Sequence, residues 1–215
     1  MIKVIPSILT NDPDELKEMI AQVEGITDFV SIDIIDGKFA DNKTIDPIVL
    51  SGVDTSLKLD FQLMVNEPIN WVEKCASAGA ERIIGHIEEM GDQVEFVGKV
   101  QEVGASIGLG IDIETPVSEL DSTILTNLDA VLVMSVPAGF GGQKFDRRAI
   151  KKVKELDKIR VRDDTPYKIH VDGGVTVDNI KEIEKAGADE VSVGRMLFKG
   201  NLKENIDKFI KAGYK

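Results

Sequence analysis

Short runs of apolar, often β-branched residues alternate with longer segments of helical periodicity along the whole 215-residue chain. Eight such runs predict strands at residues 2–8, 29–35, 57–65, 82–88, 106–112, 130–136, 167–172 and 190–193. Segments with helical periodicity lie between them at residues 13–26, 69–80, 93–105, 148–159 and 177–188. This alternation, which repeats about every 25 residues, favours parallel strands joined by crossover helices. The second unit is weak, because only DPIVLSGV (46–53) separates its two strands.

Eight strand and helix units in one chain of this length fit a closed (β/α)8 barrel better than an open doubly wound sheet. The pattern contains no sign of a sheet reversal, and no glycine-rich dinucleotide fingerprint follows the first strand. No low-complexity linker divides the chain. We therefore predict a single barrel domain over residues 1–215, with its functional residues at the carboxyl ends of the strands.

Composition limits the partners of this barrel. The 26 basic and 38 acidic residues give a formal charge of −12, which opposes binding to nucleic acid and to anionic lipid. A phosphate ligand would therefore need a local site built from backbone N–H groups.

The only cysteine, Cys75, excludes an intramolecular disulfide and is predicted to be a core residue. The N-terminal segment is typical of a strand rather than a signal peptide, and no apolar run is long enough to cross a membrane, so a cytoplasmic protein is expected.

Two aspartates stand at the ends of predicted strands, Asp33 in SIDIID and Asp172 in IHVDGG. A carboxylate among apolar neighbours is costly unless it is paired or functional, so these two favour a catalytic interpretation. Because side chains alternate along a strand, residues two apart share a face. The groups on shared faces are Ser31 with Asp33 and Ile35, Gln62 with Met64, His86 with Glu88, and His170 with Asp172. His170 would lie roughly 6–7 Å deeper than Asp172, which favours a buried, hydrogen-bonded core histidine.

Glycine-containing segments follow the last three predicted strands: PAGFGGQ (137–143), DGG (172–174) and VGR (193–195). Glycine permits positive φ angles and lets backbone N–H groups approach an anion closely. Barrels commonly bind phosphate beside strands seven and eight. These segments together predict a phosphate site at that end of the barrel.

The chain resembles the ribulose-phosphate 3-epimerase family. The segments that carry the resemblance, in family order, are IPSIL, DIIDGKF, LMV, HIE, MSV followed by GFGGQKF, and VDGGV. The resemblance implies epimerisation of a pentulose phosphate at C3 by two aspartates on opposite faces of the sugar, here Asp33 and Asp172. Inversion at carbon requires an acid and a base that face each other, and carboxylates can exchange these roles.

The predicted substrate-binding residues are Ser7, Gln62, Gly139, Phe140, Gly141, Gly142, Gly173, Gly174, Gly194 and Arg195. The resemblance implies this role for Ser7 and, in the phosphate site, for the glycines and Phe140, whereas Gln62 and Arg195 stand at positions that depart from the family. Met64 and Met134 match methionines that line the family's cavity, although ordinary core packing explains them equally well. Arg195 stands where the family has a small residue, and two interpretations stay open: a clamp on the phosphate or a surface ion pair. His86 is interpreted as structural or as a support for the site.

The metal site is the main departure from the family. The family holds a divalent metal with two histidines and two aspartates, and the histidine positions here are Ser31 and Gln62. A hydroxyl and an amide oxygen are poor ligands for Zn²⁺. If a metal binds, Asp33 and Asp172 would hold it and Mg²⁺ or Mn²⁺ is favoured over Zn²⁺; a centre without metal is the alternative.

Three functions therefore remain open. The first is epimerisation of a ketose phosphate, D-ribulose 5-phosphate and D-xylulose 5-phosphate in particular. The second is a sugar-phosphate-binding barrel without epimerase activity, which the missing histidine pair motivates. The third is a related lyase or decarboxylase reaction, for which Lys38 and Lys58 are the nearest lysines to a strand end. The resemblance also implies a homo-oligomer as a possible assembly.

Overall fold

A computed structural model describes residues 1–214 of the chain. Eight parallel strands pair in sequence order and close into a barrel, because β1 pairs with both β2 and β8. The strands are β1 (Lys3–Ile8), β2 (Phe29–Ile35), β3 (Lys58–Met64), β4 (Ala80–His86), β5 (Ser106–Ile111), β6 (Ala130–Met134), β7 (Lys168–Asp172) and β8 (Glu190–Val193). The predicted (β/α)8 barrel is confirmed.

Six α-helices pack around the strands. They are α1 (Pro13–Val23), α2 (Val72–Ser77), α3 (Gln93–Glu102), α4 (Arg148–Asp163), α5 (Ile180–Lys185) and α6 (Leu202–Tyr214). The first helix shows why the sequence folds this way locally. Pro13 occupies the first turn, and the Asp12 carboxylate accepts a hydrogen bond from the backbone N–H of Asp14 at 2.8 Å.

Two connections lack an α-helix. A 3-10 helix, Pro47–Gly52, follows β2, in agreement with the weak helical pattern of that unit. Two shorter 3-10 helices, Val117–Glu119 and Leu125–Asn127, follow β5. The barrel closes without full helices there because Leu50 and Leu125 each cover the outer face of the strands with a buried side chain.

The hydrophobic core has two parts. The larger part lies between the strands and the helices, where Phe61 and Leu63 of β3 and Phe96 of α3 are fully buried. Cys75 lies in this layer with no exposed surface, as predicted, and burial raises the pKa of its thiol to about 12. The smaller part lies inside the upper barrel and includes Met64 and Met134. The interior of the barrel therefore contains apolar as well as polar side chains.

Among residues 1–214, no helix is both long and apolar enough to cross a membrane.

Candidate active site

A cavity of about 580 Å³ opens at the carboxyl ends of the strands. Its wall contains both predicted catalytic residues, Asp33 of β2 and Asp172 of β7. All but one of the predicted substrate-binding residues line it as well: Ser7, Gly139, Phe140, Gly141, Gly142, Gly173, Gly174, Gly194 and Arg195. The remaining one, Gln62, is fully buried and lies outside this lining. The fold thus brings residues from five strand ends and their loops to one cavity.

The Asp33 carboxyl group is buried with few hydrogen bonds. Its Oδ2 accepts a hydrogen bond from the Ser7 hydroxyl at 3.0 Å, whereas Oδ1 is buried and has no partner among residues 1–214. Burial, reinforced by the nearby charge of Asp172, raises the pKa of Asp33 well above its ordinary value, and the Ser7 hydrogen bond only partly opposes this. This carboxyl group therefore favours its protonated form when Asp172 is ionised.

Asp172 has different surroundings from Asp33. The backbone N–H of Gly173 donates to its Oδ1 at 2.7 Å. Burial raises its pKa, while this hydrogen bond, a hydrogen bond from the Gln62 amide and the proximity of His86 act to lower it. Two buried carboxyl groups with such different surroundings can hold one proton between them, as an acid and a base.

The predicted phosphate site combines the loops after β6, β7 and β8, and the first two of these loops approach each other closely. Gly174 has a φ angle of +56°, and a β-carbon there would lie 2.8 Å from the Phe145 Cα atom and still closer to its backbone nitrogen. Gly173, with φ of +100°, would place a β-carbon 2.6 Å from the Val136 side chain. These two positions therefore need glycine for both conformation and space.

The 137–143 loop is held in shape by side chains. Gln143 donates from Nε2 to the carbonyl oxygens of Pro137 and Phe140 at 2.8 and 2.9 Å. Asn42 donates to the Gly139 carbonyl oxygen at 2.7 Å, which ties the loop to the segment after β2. The Phe140 side chain remains half exposed and lines the cavity. The loop is thus a fixed backbone surface with one exposed aromatic side chain at its tip.

Cationic side chains surround the outer part of the cavity. Lys144, Arg147 and Arg195 are exposed and line it. Arg147 is paired with Glu182, whereas no ion pair connects Arg195 to any acidic group of residues 1–214. The surface ion pair that the sequence left open for Arg195 is therefore absent from this part of the chain.

A line of hydrogen-bonded side chains, here called the polar chain, lies beneath the cavity and consists of Glu88, His86 and Gln62. Glu88 Oε2 lies 3.3 Å from His86 Nδ1, and His86 Nε2 lies 3.2 Å from Gln62 Nε2. Burial acts to raise the pKa of Glu88, but hydrogen bonds from His86 and from the Asp112 backbone lower it to about 2. An ionised Glu88 accepts the Nδ1 proton of His86, so Nε2 is left as an acceptor and Gln62 must donate to it.

The position of the polar chain is fixed by packing. Gly110 leaves room for the imidazole, since a β-carbon there would lie 3.0 Å from the ring of His86. Phe39 contacts the same ring edge-on, with the two centroids 5.5 Å apart. Gln62 also contacts the Met134 sulfur at 3.3 Å. The predicted structural or supporting role of His86 agrees with these contacts.

The residues present do not fit the family's metal site. Ser31 and Gln62 provide only a hydroxyl and an amide, and no group of three or more His, Cys, Asp or Glu side chains within residues 1–214 is arranged to hold a metal ion. The Gln62 amide nitrogen is directed at His86, not at a metal position. Ser31 Oγ and Gln62 Oε1 are buried without partners, as is Asp33 Oδ1, but they are two neutral oxygens and one carboxylate oxygen. Such a set binds a divalent cation weakly.

A second cluster of charges lies at the amino-terminal end of the barrel interior. Arg82 is paired with Asp60, from Nε to Oδ1 at 2.9 Å, and with Glu190 at 2.8 Å. His170 lies 3.4 Å from the same guanidinium group and 2.9 Å from the Ser192 hydroxyl. Burial, with the charge of Arg82, lowers the pKa of His170 to about 3. The predicted buried, hydrogen-bonded core histidine is confirmed.

Several cavity residues were not predicted from the sequence. They include Leu9, Glu15 and Met19 after β1, Lys144 and Arg147 after β6, and Thr176 and Asn179 after β7. Lys144 directly follows GFGGQ and was the easiest of them to find. The lysines considered for lyase chemistry lie elsewhere: Lys58 begins β3 and is paired with Glu81 at 2.8 Å, and Lys38 lines a separate groove.

The chain is similar in sequence to known epimerases. The model of the ribulose-phosphate 3 epimerase family matches residues 3–198. The chain is 36% identical over 204 residues to the ribulose-phosphate 3-epimerase of Bacillus subtilis, which covers 92% of this chain and 93% of the relative. It is 35% identical over 202 residues to the chloroplastic ribulose-5-phosphate-3-epimerase of Arabidopsis thaliana, with 92% of this chain and 72% of the relative covered.

Solved structures show the same fold at low identity. A 3-hexulose-6-phosphate synthase has a TM-score of 0.70 at 13% identity, covering 98% of this chain and 99% of the other. A mutant tryptophan synthase α-subunit from Pyrococcus furiosus also has a TM-score of 0.70, at 17% identity, covering 98% of this chain and all of the other. At these identities the likeness concerns the barrel alone.

Proposed function

Because the chain belongs to the ribulose-phosphate 3-epimerase family, we propose that it epimerises a ketose phosphate at C3, interconverting D-ribulose 5-phosphate and D-xylulose 5-phosphate. The observation that carries the proposal is the pair of carboxyl groups, Asp33 and Asp172, in the wall of one cavity with surroundings that favour one shared proton. An inversion needs one acid and one base, and this pair provides both.

In the proposed reaction, the ionised Asp172 removes the C3 proton, and the electron pair of the C–H bond moves to the C2 carbonyl oxygen to give a 2,3-enediolate. Asp33 then donates its proton to the opposite face of C3 as the C2 carbonyl re-forms. The reaction leaves Asp172 protonated and Asp33 ionised, which is the state required for the reverse direction. No proton or electron is gained or lost overall.

The glycine loops and Arg195 would bind the substrate phosphate. Backbone N–H groups can bind a dianion in a protein with a net charge of −12, where a cationic surface is lacking. Arg195 adds a guanidinium group without a competing carboxylate. Any divalent cation held by Asp33 and Asp172 together with neutral oxygens would be Mg²⁺ or Mn²⁺ rather than Zn²⁺.

The test is deuterium wash-in at C3 from D₂O with ribulose 5-phosphate and other ketose phosphates as substrates. We expect exchange and epimerisation by the native protein, and loss of both in Asp33→Asn and Asp172→Asn. Asp178→Asn is the matched control, because Asp178 is exposed and lies outside the cavity. Native protein that exchanges no C3 proton on any ketose phosphate would refute the proposal. Calorimetric binding of these sugars without exchange would favour the sugar-phosphate-binding alternative.

A further inference from the structure

The floor of the cavity brings negative charges close together, and the proposed function does not explain how they are stabilised. The buried carboxyl group of Asp33, the partly buried carboxyl group of Asp172 and a developing enediolate would share one small space, and Ser31 and Gln62 are neutral. Among residues 1–214, no cationic side chain hydrogen-bonds to Asp33 or Asp172. The groups that do reach this floor from below are those of the polar chain.

The polar chain is built to fix the orientation of one amide. Glu88 uses Oε1 for the backbone N–H of Asp112 at 2.6 Å, which leaves Oε2 for His86. His86 therefore carries its proton on Nδ1 and accepts at Nε2. Gln62 must then present its amide nitrogen to His86, which turns its Oε1 away from the imidazole, and this oxygen is buried without a partner among residues 1–214. The amide oxygen and nitrogen of a glutamine can otherwise exchange places by rotation of the amide group, so the polar chain holds the Gln62 amide in one orientation.

The strand register places this amide between the two carboxyl groups. Gln62 pairs with Asp33 across β2 and β3, and its Nε2 lies 3.3 Å from the sulfur of Met134, the residue that pairs with Asp172 across β6 and β7. We propose that the polar chain fixes the Gln62 amide between Asp33 and Asp172 and that the reaction centre needs no metal ion. The proposal rests on the proposed function for its catalytic part, whereas its structural part stands on the hydrogen bonds alone. Glu88 and His86 are positioning residues, because neither lines the cavity.

Glu88→Gln is the sharpest perturbation of the polar chain. A glutamine has one oxygen, and the fixed N–H of Asp112 competes for it, so the new amide group would face His86 Nδ1 as a donor. His86 would then move its proton to Nε2, and this N–H would oppose the N–H of Gln62. We therefore expect Gln62 to rotate out of its fixed orientation between the two carboxyl groups, with kcat reduced about tenfold and KM unchanged. Glu89→Gln is the matched control, since Glu89 is the exposed neighbour on the same loop.

Two further measurements accompany the rates of the variants, and their readouts of metal content and imidazole protonation do not depend on turnover. The first is elemental analysis of the native protein, purified without added metal, together with its rate before and after exhaustive chelation. We expect substoichiometric metal and an unchanged rate. The second is the ¹⁵N spectrum of the imidazoles, which is simple because the chain has two histidines. We expect the His86 proton on Nδ1 in the native protein and on Nε2 in Glu88→Gln.

The outcomes separate the inference from the proposed function. Stoichiometric metal whose removal abolishes exchange would overturn the metal-free centre. A Glu88→Gln variant with the native tautomer, or with the kcat of Glu89→Gln, would overturn the positioning role of the polar chain. If the native protein exchanges no C3 proton on any substrate, the proposed function fails together with the catalytic part of the inference, while metal content and tautomer still decide its structural part.

Discussion

Substitution of Gly174 by alanine tests how closely the phosphate loops pack. Two costs add at this position. The backbone has a φ angle of +56°, which costs a residue with a β-carbon about 1–2 kcal/mol. The new β-carbon would also lie 2.8 Å from the Phe145 Cα atom and 3.0 Å from the Gln143 carbonyl oxygen, and these backbone atoms would have to move. Overpacking of this kind costs about 1–3 kcal/mol more. We therefore expect the free energy of unfolding to fall by about 2–5 kcal/mol.

Gly25→Ala provides the control for the conformational cost alone. Gly25 has a φ angle of +72°, a β-carbon there would meet no atom within 4 Å, and the residue lies outside the cavity. Urea denaturation should give a loss of about 1–2 kcal/mol for this variant. KM for ribulose 5-phosphate should rise only in Gly174→Ala, because only there are the loops displaced. Equal losses of stability in the two variants, with equal KM values, would refute the close-packing argument.

Three further predictions follow from charges in the barrel. Arg195→Ala should raise KM about tenfold, equivalent to ~1.4 kcal/mol of phosphate binding, and leave kcat unchanged. Lys199→Ala, at an exposed lysine, should change neither KM nor kcat. Equal KM values in the two variants would exclude a phosphate clamp by Arg195. Burial raises the pKa of Asp33, so folding takes up a proton. The free energy of unfolding should therefore fall as pH rises from about 4 towards the raised pKa. Urea denaturation of Asp33→Asn at several pH values should not show this decrease. Arg82→Met should lower the free energy of unfolding by about 3–5 kcal/mol, because Asp60 and Glu190 lose their cation; a loss below 1 kcal/mol on thermal or urea denaturation would contradict this.

The strands were predictable because their pattern is local. All eight are present, with ends that differ from the prediction by at most two residues. No helical segment was predicted after β2 or β5, and the structure has only 3-10 helices there, because a short buried segment covers the outer face of the barrel as well as a full helix does. Helix α4 continues to Asp163, beyond the predicted end at residue 159, since its polar last turn is solvated rather than packed.

The candidate site was predictable only at positions where burying a residue type costs free energy and a function explains its presence. Asp33 and Asp172 stand out among apolar neighbours, and both line the cavity. Gln62 was assigned to substrate binding, yet it lies buried beneath the cavity lining, and its partners decide its role. His86 and Glu88 are adjacent on one face in the sequence, but nothing local indicates that Gln62 of the neighbouring strand completes the line. Hydrogen-bonded networks across strands depend on register, which a single sequence does not encode locally.

The two polar layers inside the barrel show that burial alone does not determine the chemistry. Glu190 in the lower layer and Asp33 in the upper layer are buried to a similar degree. Burial acts to raise the pKa of Glu190, but the guanidinium group of Arg82, paired with it at 2.8 Å, outweighs burial and holds the value at about 2. Asp33 has only a serine hydroxyl as partner and faces a second carboxyl group, so its pKa rises instead. The lower layer therefore pairs its carboxylates with a cation and stabilises the barrel. The upper layer lacks such a cation within residues 1–214, and in the proposed reaction it keeps a transferable proton for that reason.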